Sequence, residues 1–414
     1  VSMDLYIYNP AIELQGVIDG YSSLRWRRRY FEPGEFELHC PTTDSNIALL
    51  REGNIIHRLD RQEAGIIEGI KIEETDTGGD EIAATGRMGS SMLDRRIITP
   101  TIFTGTVEDA MLKLVFSNAI IMRPLPYLAL GVAGSYTPTV TLQITGRKNL
   151  LTVLKALSKS APLGFRTRLD VPNKQWIFEV YDGVDRTVTQ KNRPYVLFSD
   201  EFRNISKPKY VMDNTGYANF AYVGGKGNIV VEVDQTNGSS DRREIYVNAT
   251  SVDKSAEAED DFYYGGTSGV FHFSHVPVEI VSITADGKDV DYTFDSDKHG
   301  VMINTPPPLN STIKNIYKYG LTDDEYVALL RQKGLEKLAE AQKSESFSAD
   351  AVNTANFQYL TDWDLGDIVS FEKWGMRLDE RITAVEEVDE NGVVTVTPTC
   401  GSPLPETLKL GDDN

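Results

Sequence analysis

The sequence is poor in the residues that build disulfide scaffolds and metal centres. Its 414 residues include two cysteines, Cys40 and Cys400, and five histidines. Two cysteines cannot form a disulfide framework, and although they could pair with each other, we favour free buried thiols. Neither cysteine lies in a C-x-x-C motif or beside a histidine pair, so the sequence indicates neither a zinc site nor thiol catalysis.

Long apolar runs are also absent. A membrane-spanning helix needs roughly 18–20 apolar residues, and the nearest approach, residues 119–132, is interrupted by Arg123, Pro124 and Pro126. The N-terminal residues show no basic region followed by an apolar segment, so no secretory signal is expected. We therefore expect a protein that is made in the cytoplasm and has no membrane span.

Positive charge is scarce relative to negative charge. Lys plus Arg total 42 against 61 for Asp plus Glu, which gives a net charge of −19. Such a surface repels phosphate backbones, so a general nucleic-acid-binding protein is not expected. The 40% of hydrophobic residues excludes disorder as a description of the whole chain, and the length suggests about two to four domains.

Hydrophobic periodicity divides the chain into a β-rich beginning and a mixed second segment. Residues 1–98 alternate apolar and polar side chains in short runs separated by turn residues, which is typical of a β-barrel or a β-sandwich. Residues 99–204 contain two helical patterns, one of them preceded by Thr106 as a helix cap, and a predicted hairpin. This second segment is therefore predicted to be an α+β domain.

The remainder predicts a second β domain interrupted by an inserted module. The domain is assigned to residues 205–254 and 321–414, with a long helix that opens on the capping box of Thr322 and Glu325 and a hairpin turn at Asn391-Gly392. Residues 255–320 predict a small β-sandwich-like insertion, with an acidic break at residues 257–261 marking one edge and Lys318-Tyr319-Gly320 the other. The predicted fold class is mainly β with an α+β unit.

The sequence carries no strong catalytic motif. His272 and His275 lie three residues apart on a predicted strand, where they point to opposite faces. The glycine-rich segment around Lys226 lacks the spacing of a Walker loop, and no G-x-S-x-G motif is present. The loop that starts at Asp295 resembles a calcium loop but has Pro306 at its twelfth position, where a carboxylate is expected. We predict no catalytic residue, no metal ligand and no cofactor.

The single basic cluster is open to two interpretations. Its members are Arg25, Arg27, Arg28 and Arg29. On a strand, Arg25, Arg27 and Arg29 share one face, and Arg28 lies on the other with Trp26. The three arginines on one face could meet an acidic neighbouring protein, or they could pair across the strands with nearby glutamates such as Glu35 and Glu37.

A second open case is the acidic segment around Trp363. Asp362, Asp364 and Asp367 surround this tryptophan, an arrangement that a sugar site could use. A glycosidase needs two carboxyl groups about 5–10 Å apart. Alternatively, Asp364 and Asp367 cap a turn that leads into a strand at residue 368, which is the favoured interpretation.

Two segments resemble a known family. The first runs from Trp26 to Pro41, with Gly34-Glu35-Phe36-Glu37-Leu38-His39-Cys40-Pro41 at its centre. The second runs from Tyr359 to Val369 and contains Asp364-Leu365-Gly366-Asp367-Ile368-Val369. Tyr222-Val223-Gly224-Gly225 and Asp241-Arg242-Arg243-Glu244 lie between them and fit the same order. Together they resemble the tail hub proteins, also called baseplate hub or tail-associated proteins, of long-tailed phages, prophages and phage-tail-like particles. The resemblance covers nearly the whole chain except residues 255–320.

The resemblance implies a fold and a structural role. It implies two tail-tube-like β-barrels in one chain, the first at residues 1–98 and the second at residues 205–254 and 321–414. It also implies a homotrimer that forms a pseudo-sixfold ring at the distal end of the tail tube. The ring would join the tube to tip or baseplate proteins, with DNA only as cargo through the lumen. The location would be the virion tail or a tail-like particle, after synthesis in the host cytoplasm. The candidate assembly residues are Arg25, Arg27, Arg29, Gly34, Phe36, Leu38, Asp364, Leu365, Gly366 and Asp367.

An alternative is a tail-borne carbohydrate-binding or glycan-cleaving protein. Its working parts would be Asp362, Trp363, Asp364 and the module at 255–320. Family members often carry a glycan-cleaving domain after the hub region, and the sequence ends at Asn414, soon after the predicted second barrel. The expectation is therefore a structural hub and not an enzyme.

Overall fold

The computed structural model describes residues 4–74, 79–99, 101–144, 147–266, 270–352, 357–390 and 392–402. Strands account for 49% of the chain and helices for 16%, which confirms that the protein is mainly β. Both Cys40 and Cys400 are buried free thiols, as favoured from the sequence.

The first β unit contains seven strands and one short helix. They are β1 (Leu5–Tyr8), β2 (Leu14–Ile18), β3 (Ser23–Arg29), β4 (Glu35–Pro41), α1 (Asp44–Leu49), β5 (Ile55–His57), β6 (Ala64–Glu74) and β7 (Asp80–Met88). The strands pair in the order β2-β1-β5-β6-β7-β4-β3. Alternate side chains, including Trp26 and Phe36, point into one core, as the period-two pattern predicts.

The α+β unit (residues 89–181) follows directly. It comprises a 3₁₀ helix (Gly89–Arg95), β8 (Ile97–Ile98), β9 (Thr101–Thr106), α2 (Val107–Val115), a π-helical turn (Phe116–Ile121), β10 (Leu128–Leu130), β11 (Thr139–Ile144), β12 (Lys148–Asn149), α3 (Leu150–Ser160), β13 (Gly164–Asp170) and β14 (Gln175–Tyr181). Thr106 caps α2 as predicted, because its hydroxyl accepts from the Asp109 amide. The predicted hairpin is β13–β14, and the core reaches Ile66 of the first unit.

The chain then contributes two strands to a second β unit and forms a small separate sheet. The two strands are β15 (Leu197–Ser199) and β16 (Ile205–Asp213), and the small sheet contains β17 (Phe220–Gly224), β18 (Val230–Asp234) and β19 (Glu244–Asn248). A 3₁₀ turn, Lys226–Asn228, joins β17 to β18. In the small sheet β17 is central, antiparallel to β18 and parallel to β19.

Residues 255–320 form a module with its own core. Its strands are β20 (Ser255–Tyr263), β21 (Val270–His272), β22 (Pro277–Ala285), β23 (Lys288–Asp289), β24 (Tyr292–Asp295), β25 (Gly300–Ile303) and β26 (Thr312–Gly320). They make two sheets, β20-β26-β22-β23 and β21-β25-β24, which together enclose the side chains of Phe273, Ile313 and Tyr317.

The predicted acidic break at 257–261 was wrong as a boundary. These residues lie inside β20, where they pair along their whole length with β26. The strand tolerates its acids because Glu257 and Asp261 face Lys318 and Lys314 across the pair, on the solvent side of the sheet.

The last part of the chain returns to the second β unit. It comprises α4 (Asp323–Glu340), β27 (Ser344–Ala351), β28 (Ile368–Lys373), β29 (Met376–Glu390) and β30 (Val393–Ser402). The predicted capping box of Thr322 and Glu325 is present at the start of α4. Tyr326, Leu330 and Gly334 of this helix pack on the small β17–β19 sheet. β29 and β30 pair as a hairpin whose Asn391 lies outside the described residues.

The two β units share one large sheet. Its order is β16-β27-β30-β29-β3-β4-β7-β6-β5-β1-β2, and β28 and β15 extend from β29. The link is made by β29, since residues 376–381 pair with β28 while residues 384–390 pair with β3. Each unit keeps a separate core, around Trp26 in the first and Trp363 in the second.

The strand order bears on the predicted barrels and their boundaries. Within the described residues the order runs open from β2 to β16, so closure into two barrels remains a prediction. The predicted second barrel grouped 205–254 with 321–414, whereas the strands of these segments fall into two sheets. β16 and β27–β30 belong to the large sheet, and β17–β19 with α4 form a separate layer.

Candidate functional site

The arginines of β3 alternate between the surface and the interior. Arg25 and Arg27 contact Glu386 of β29, with an Arg25 Nη2–Glu386 Oε2 distance of 2.7 Å. Arg27 and Arg29 also contact Glu35 of β4, at 3.4 and 2.9 Å. The cross-strand pairing expected from the sequence thus occurs with Glu35. The other acidic partner, Glu386, belongs to the second β unit of the same chain. Glu37 instead contacts His39, at 3.0 Å.

Arg28 points the other way and is 3% exposed. Its Nε donates to Glu63 Oε1 at 3.1 Å, and its Nη1 donates to Asp364 Oδ1 at 2.6 Å and to the Tyr359 hydroxyl at 3.0 Å. Glu63 precedes β6 of the first unit, whereas Tyr359 and Asp364 belong to the second. The Arg28 guanidinium therefore links the two β units on the inner face of their shared sheet.

A second set of ion pairs lies next to it. Arg58 Nη2 donates to Glu387 Oε2 at 3.0 Å, and Arg61 Nε donates to Glu387 Oε1 at 2.9 Å. Arg58 and Glu387 are each 3% exposed at the side chain. We call Arg28, Arg58, Arg61, Glu63, Asp364 and Glu387 the junction cluster. Each arginine of the cluster thus has a carboxylate partner, and the more exposed Asp60 also contacts Arg58 and Arg61.

The electrostatics of the junction cluster favour the charged forms of Glu63 and Arg61. Burial by itself raises the pKa of Glu63, but Arg28 and Arg166 outweigh it and hold that pKa below the ordinary value. Burial likewise lowers the pKa of Arg61, and hydrogen bonding to Glu387 outweighs it and raises that pKa. The cluster is thus a set of matched ion pairs. Its carboxylates accept hydrogen bonds from the arginines of the same cluster.

Tyr30, just after β3, connects all three units at their meeting point. Its hydroxyl contacts the Pro162 and Tyr181 carbonyls of the α+β unit, each at 3.2 Å, and accepts from Arg381 of β29 at 3.1 Å. A Cβ atom at Gly164 or at Gly366 would approach the Tyr30 ring to 2.4 Å. Both glycines are therefore needed for the close approach of the three units.

The Asp364–Asp367 segment forms a turn that braces the junction. The Leu365 amide donates to Asp364 Oδ1 at 2.7 Å, and Gly366 has a positive φ of 96°. Asp367 is buried and accepts from the Val184 amide and from Arg186 Nε, both at 2.8 Å. The turn interpretation thus fits these contacts, and the acids connect the second unit to residues 184–186.

The contacts do not favour a sugar site at this turn. Trp363 is 1% exposed and packs in the second core, with its ring centroid 5.4 Å from that of Phe198. An aromatic platform for a sugar must be open to solvent, and this ring is enclosed. Asp362 accepts from the Gln358 amide at 2.7 Å and stabilises the local turn.

The first family-like segment supplies core residues and a tight turn. Phe36 and Leu38 are buried in the first core. A Cβ atom at Gly34 would lie 2.1 Å from the Arg27 carbonyl oxygen, so only glycine fits there. The candidate assembly residues thus divide between core, turn and surface ion pairs, and their part in assembly remains a prediction.

The other sequence candidates occupy ordinary structural positions. His272 contacts the Lys298 carbonyl through Nδ1 at 2.8 Å, and His275 stacks on Tyr319 with centroids 3.9 Å apart. Asp295 accepts from two backbone amides of its own turn. In the described part of the chain, no group of three or more His, Cys, Asp or Glu side chains could hold a metal ion.

Sequence reasoning missed most of the junction cluster. Arg58, Arg61, Glu63 and Glu387 looked like ordinary surface charges in an acidic chain. The available signal was Arg28, because an arginine on the same strand face as Trp26 must be buried and needs carboxylate partners. Nothing in the local pattern indicates which of the 61 acidic residues those partners are.

With this geometry in view, comparison with solved structures defines the class of fold. The chain is similar to a tail protein from Neisseria meningitidis MC58, with a TM-score of 0.52 and 11% identity over 97% of each chain. It is also similar to the 43 kDa tail protein of prophage MuSo2 from Shewanella oneidensis, with a TM-score of 0.51 and 10% identity over 97% of this chain and 98% of that one. The fold is that of phage and prophage tail proteins.

The family follows from a match along the sequence. The chain belongs to the Siphovirus ReqiPepy6 Gp37-like protein family, whose model matches residues 4–402. This family and the tail-protein fold together confirm the resemblance drawn from the sequence. The comparison with curated proteins gives no match. Among the described residues, no helix has both the length and the apolar character needed to cross a membrane.

Proposed function

We propose that this chain is a structural tail hub that assembles as a trimeric, pseudo-sixfold ring at the distal end of the tail tube. The observation that carries the proposal is the single sheet that runs through both β units by way of β3 and β29. Each chain presents two β units side by side, so three chains supply six. Six β units would fit the sixfold symmetry of the tube, and three chains would fit the threefold symmetry of the tip.

The ends of the large sheet support this arrangement. In the described residues, β2 and β16 each have a strand neighbour on one side only. A heterologous contact between one end of the sheet and the other end in the next copy generates a closed ring when the rotation is 120°.

The proposed lumen wall is the solvent face of the sheet near the junction. Here Arg25, Arg27 and Arg29 are each held by glutamates of β4, β29 or the adjoining turn. Neutralised arginines and a chain charge of −19 favour a wall to which DNA does not adhere. The partners would be tube-end and tip proteins, with DNA as cargo, and the location would be the tail itself.

The role is structural and not enzymatic. Asp364 and Asp367, the carboxylates that a glycan-cleaving site would use, accept hydrogen bonds from Arg28 and Arg186 within the fold. The tryptophan between the acids is buried. These contacts support assembly as the function and leave the glycan alternative without a site at this turn.

The decisive test is a cryo-electron microscopy reconstruction of the tail that contains this protein. The expected result is three copies in a closed ring, coaxial with the tube, with six β units around an open lumen. A single copy, a peripheral position away from the axis or a ring with another subunit number would contradict the proposal.

A further inference from the structure

Charge is distributed unevenly along this acidic chain. The α+β unit, residues 89–181, carries 11 Lys and Arg against 5 Asp and Glu, whereas the whole chain carries 42 against 61. This unit is therefore positive within a protein that is otherwise strongly negative. Such asymmetry favours contact between the basic unit of one molecule and an acidic surface of another.

Three arginines form a patch at one end of this unit. Arg96 Nε donates to the Arg123 carbonyl at 2.7 Å and its Nη2 donates to the Pro124 carbonyl at 3.0 Å, while Arg123 Nη2 contacts Asn118 Oδ1 at 3.2 Å. Arg95 is exposed beside them. We call Arg95, Arg96 and Arg123 the arginine patch.

The arginine patch lacks acidic partners within the described residues. Its hydrogen bonds go to carbonyl and amide oxygens, and the adjacent Asp94 pairs with Arg87 instead. Burial first, and then Arg123 and Arg95, lower the pKa of Arg96, as expected when cations crowd together. Exposed Ile121 and Met122 adjoin the patch, and arginine beside apolar surface is typical of protein interfaces.

A surface of opposite character lies on the small β17–β19 sheet. On the face turned away from α4, Tyr222 lies between Glu232 of β18 and Tyr246 of β19. Tyr246 is 66% exposed, and its hydroxyl lies over Gly224, where a Cβ would approach it to 2.1 Å. We call the outward residues Tyr222, Glu232, Asp234, Glu244 and Tyr246 the acidic–aromatic face.

This face already binds a guanidinium within the chain. Arg242 lies 3.5 Å from the centroid of the Phe220 ring and donates to Glu244 at 2.6 Å and to the Tyr222 hydroxyl at 2.9 Å. Glu232 lies directly across the strand pair from Tyr222, and the two offer a ring and a carboxylate on the side of the sheet opposite to Glu244. The face thus has a second position suited to an arginine.

The two surfaces lie on different sides of one layered stack. Gly334 of α4 packs on the inner side of the small sheet, and Glu336, on the far side of the helix, pairs with Lys148 of β12 at 2.9 Å. β12 pairs with β8, which directly follows the arginine patch. Helix α4 therefore separates the two surfaces within one chain, so the partner of each must be another molecule.

We infer that the arginine patch of one copy docks on the acidic–aromatic face of the next copy. Charge complementarity identifies the occupant as a second copy of this chain, because one sequence supplies both halves. The contact is heterologous, and repetition around a threefold axis closes it. The inference rests on the proposed trimeric hub and assigns the surfaces that join its subunits outside the large sheet.

The test is charge exchange in the full-length chain. Arg95→Glu and Glu232→Arg each reverse one side of the contact. Neither residue has an ion-pair partner within 4 Å among the described residues, and Glu232 acts on Arg242 only at longer range. Each should weaken self-association about tenfold or more in sedimentation velocity, and the double variant should restore it to within about threefold of the original. Arg193→Glu, at another exposed arginine, is the control and should leave association unchanged.

The outcomes separate this inference from the hub itself. Unchanged association in both single variants, an Arg193→Glu effect of equal size or no rescue in the double variant overturns the docking. So does an original chain that remains monomeric at high concentration. None of these results removes the hub function, which is decided by the position and copy number of the protein in the assembled tail.

Discussion

At the junction of the three units the ion pairs are buried, whereas in the module of residues 255–320 they lie on the surface. Arg28–Glu63 and Arg58–Glu387 have side chains less than a tenth exposed. In the module, the Lys314–Glu259 and Lys318–Glu279 pairs are roughly 40–60% exposed. Buried pairs fix how units meet because breaking one leaves a desolvated charge, while exposed pairs contribute little.

The first prediction uses the largest expected difference between the two regions. Arg28→Met leaves Glu63 buried without its main partner and should lower the free energy of unfolding by about 3–5 kcal/mol. Lys314→Met, the matched change in the module, should lower it by no more than about 1 kcal/mol. Urea unfolding followed by circular dichroism measures both.

A double variant sharpens this result. Arg28→Met combined with Glu63→Gln removes the uncompensated charge and should recover part of the lost stability. Equal losses in the Arg28 and Lys314 variants would show that the junction cluster does not hold the units together.

The second prediction concerns pH and has an intermediate effect. Because the folded-state pKa of Glu63 lies below its unfolded value, its contribution is present above about pH 4.5 and disappears as pH falls through the folded pKa. Each pKa unit of lowering corresponds to about 1.4 kcal/mol. Unfolding free energies measured from pH 7 to pH 3 should fall more steeply for the original protein than for Glu63→Gln. Parallel curves would contradict the assignment.

The third prediction is the smallest effect and concerns removal of the module. Ser255 and Gly320 are register partners, and the Leu321 amide donates to the Lys254 carbonyl at 2.9 Å, so the two ends of the insertion are adjacent. Replacing residues 256–319 with two glycines should change the stability of the remainder by less than about 1 kcal/mol, or about 2–4 °C in Tm. Differential scanning calorimetry measures it, and loss of the main transition would show that the module supports the fold.

Local features of this fold were predictable from the sequence. The faces of β3 and β4 follow from simple alternation, and the starts of α2 and α4 follow from Thr106 and from Thr322 with Glu325. These signals depend on neighbours within a few residues, so they appear in the sequence directly. Module 255–320 was recognised as β-rich, although the acids of β20 were mistaken for a break.

Long-range pairing was not predictable from the residues alone. Nothing local shows that β29 leaves β28 halfway along its length to pair with β3. The junction cluster depends on that pairing, since it brings Glu387 to Arg58 and Arg61. The turn at Asp364–Asp367 was identified, but the reason for its position, the Tyr30 ring against Gly366, arises only in the assembled structure.

The pairing of β3 with β29 also sets the order of events during synthesis. Ala384 pairs with Arg29, which leaves the ribosome 355 residues earlier. At a translation rate of about 5–20 residues per second, the edge of β3 that pairs with β29 stays unpaired for roughly 20–70 seconds. During that time it is an open template for other strands, including those of nascent copies nearby. We therefore expect the yield of this protein to depend more on chaperone binding to the N-terminal half during synthesis than on the stability of the folded chain.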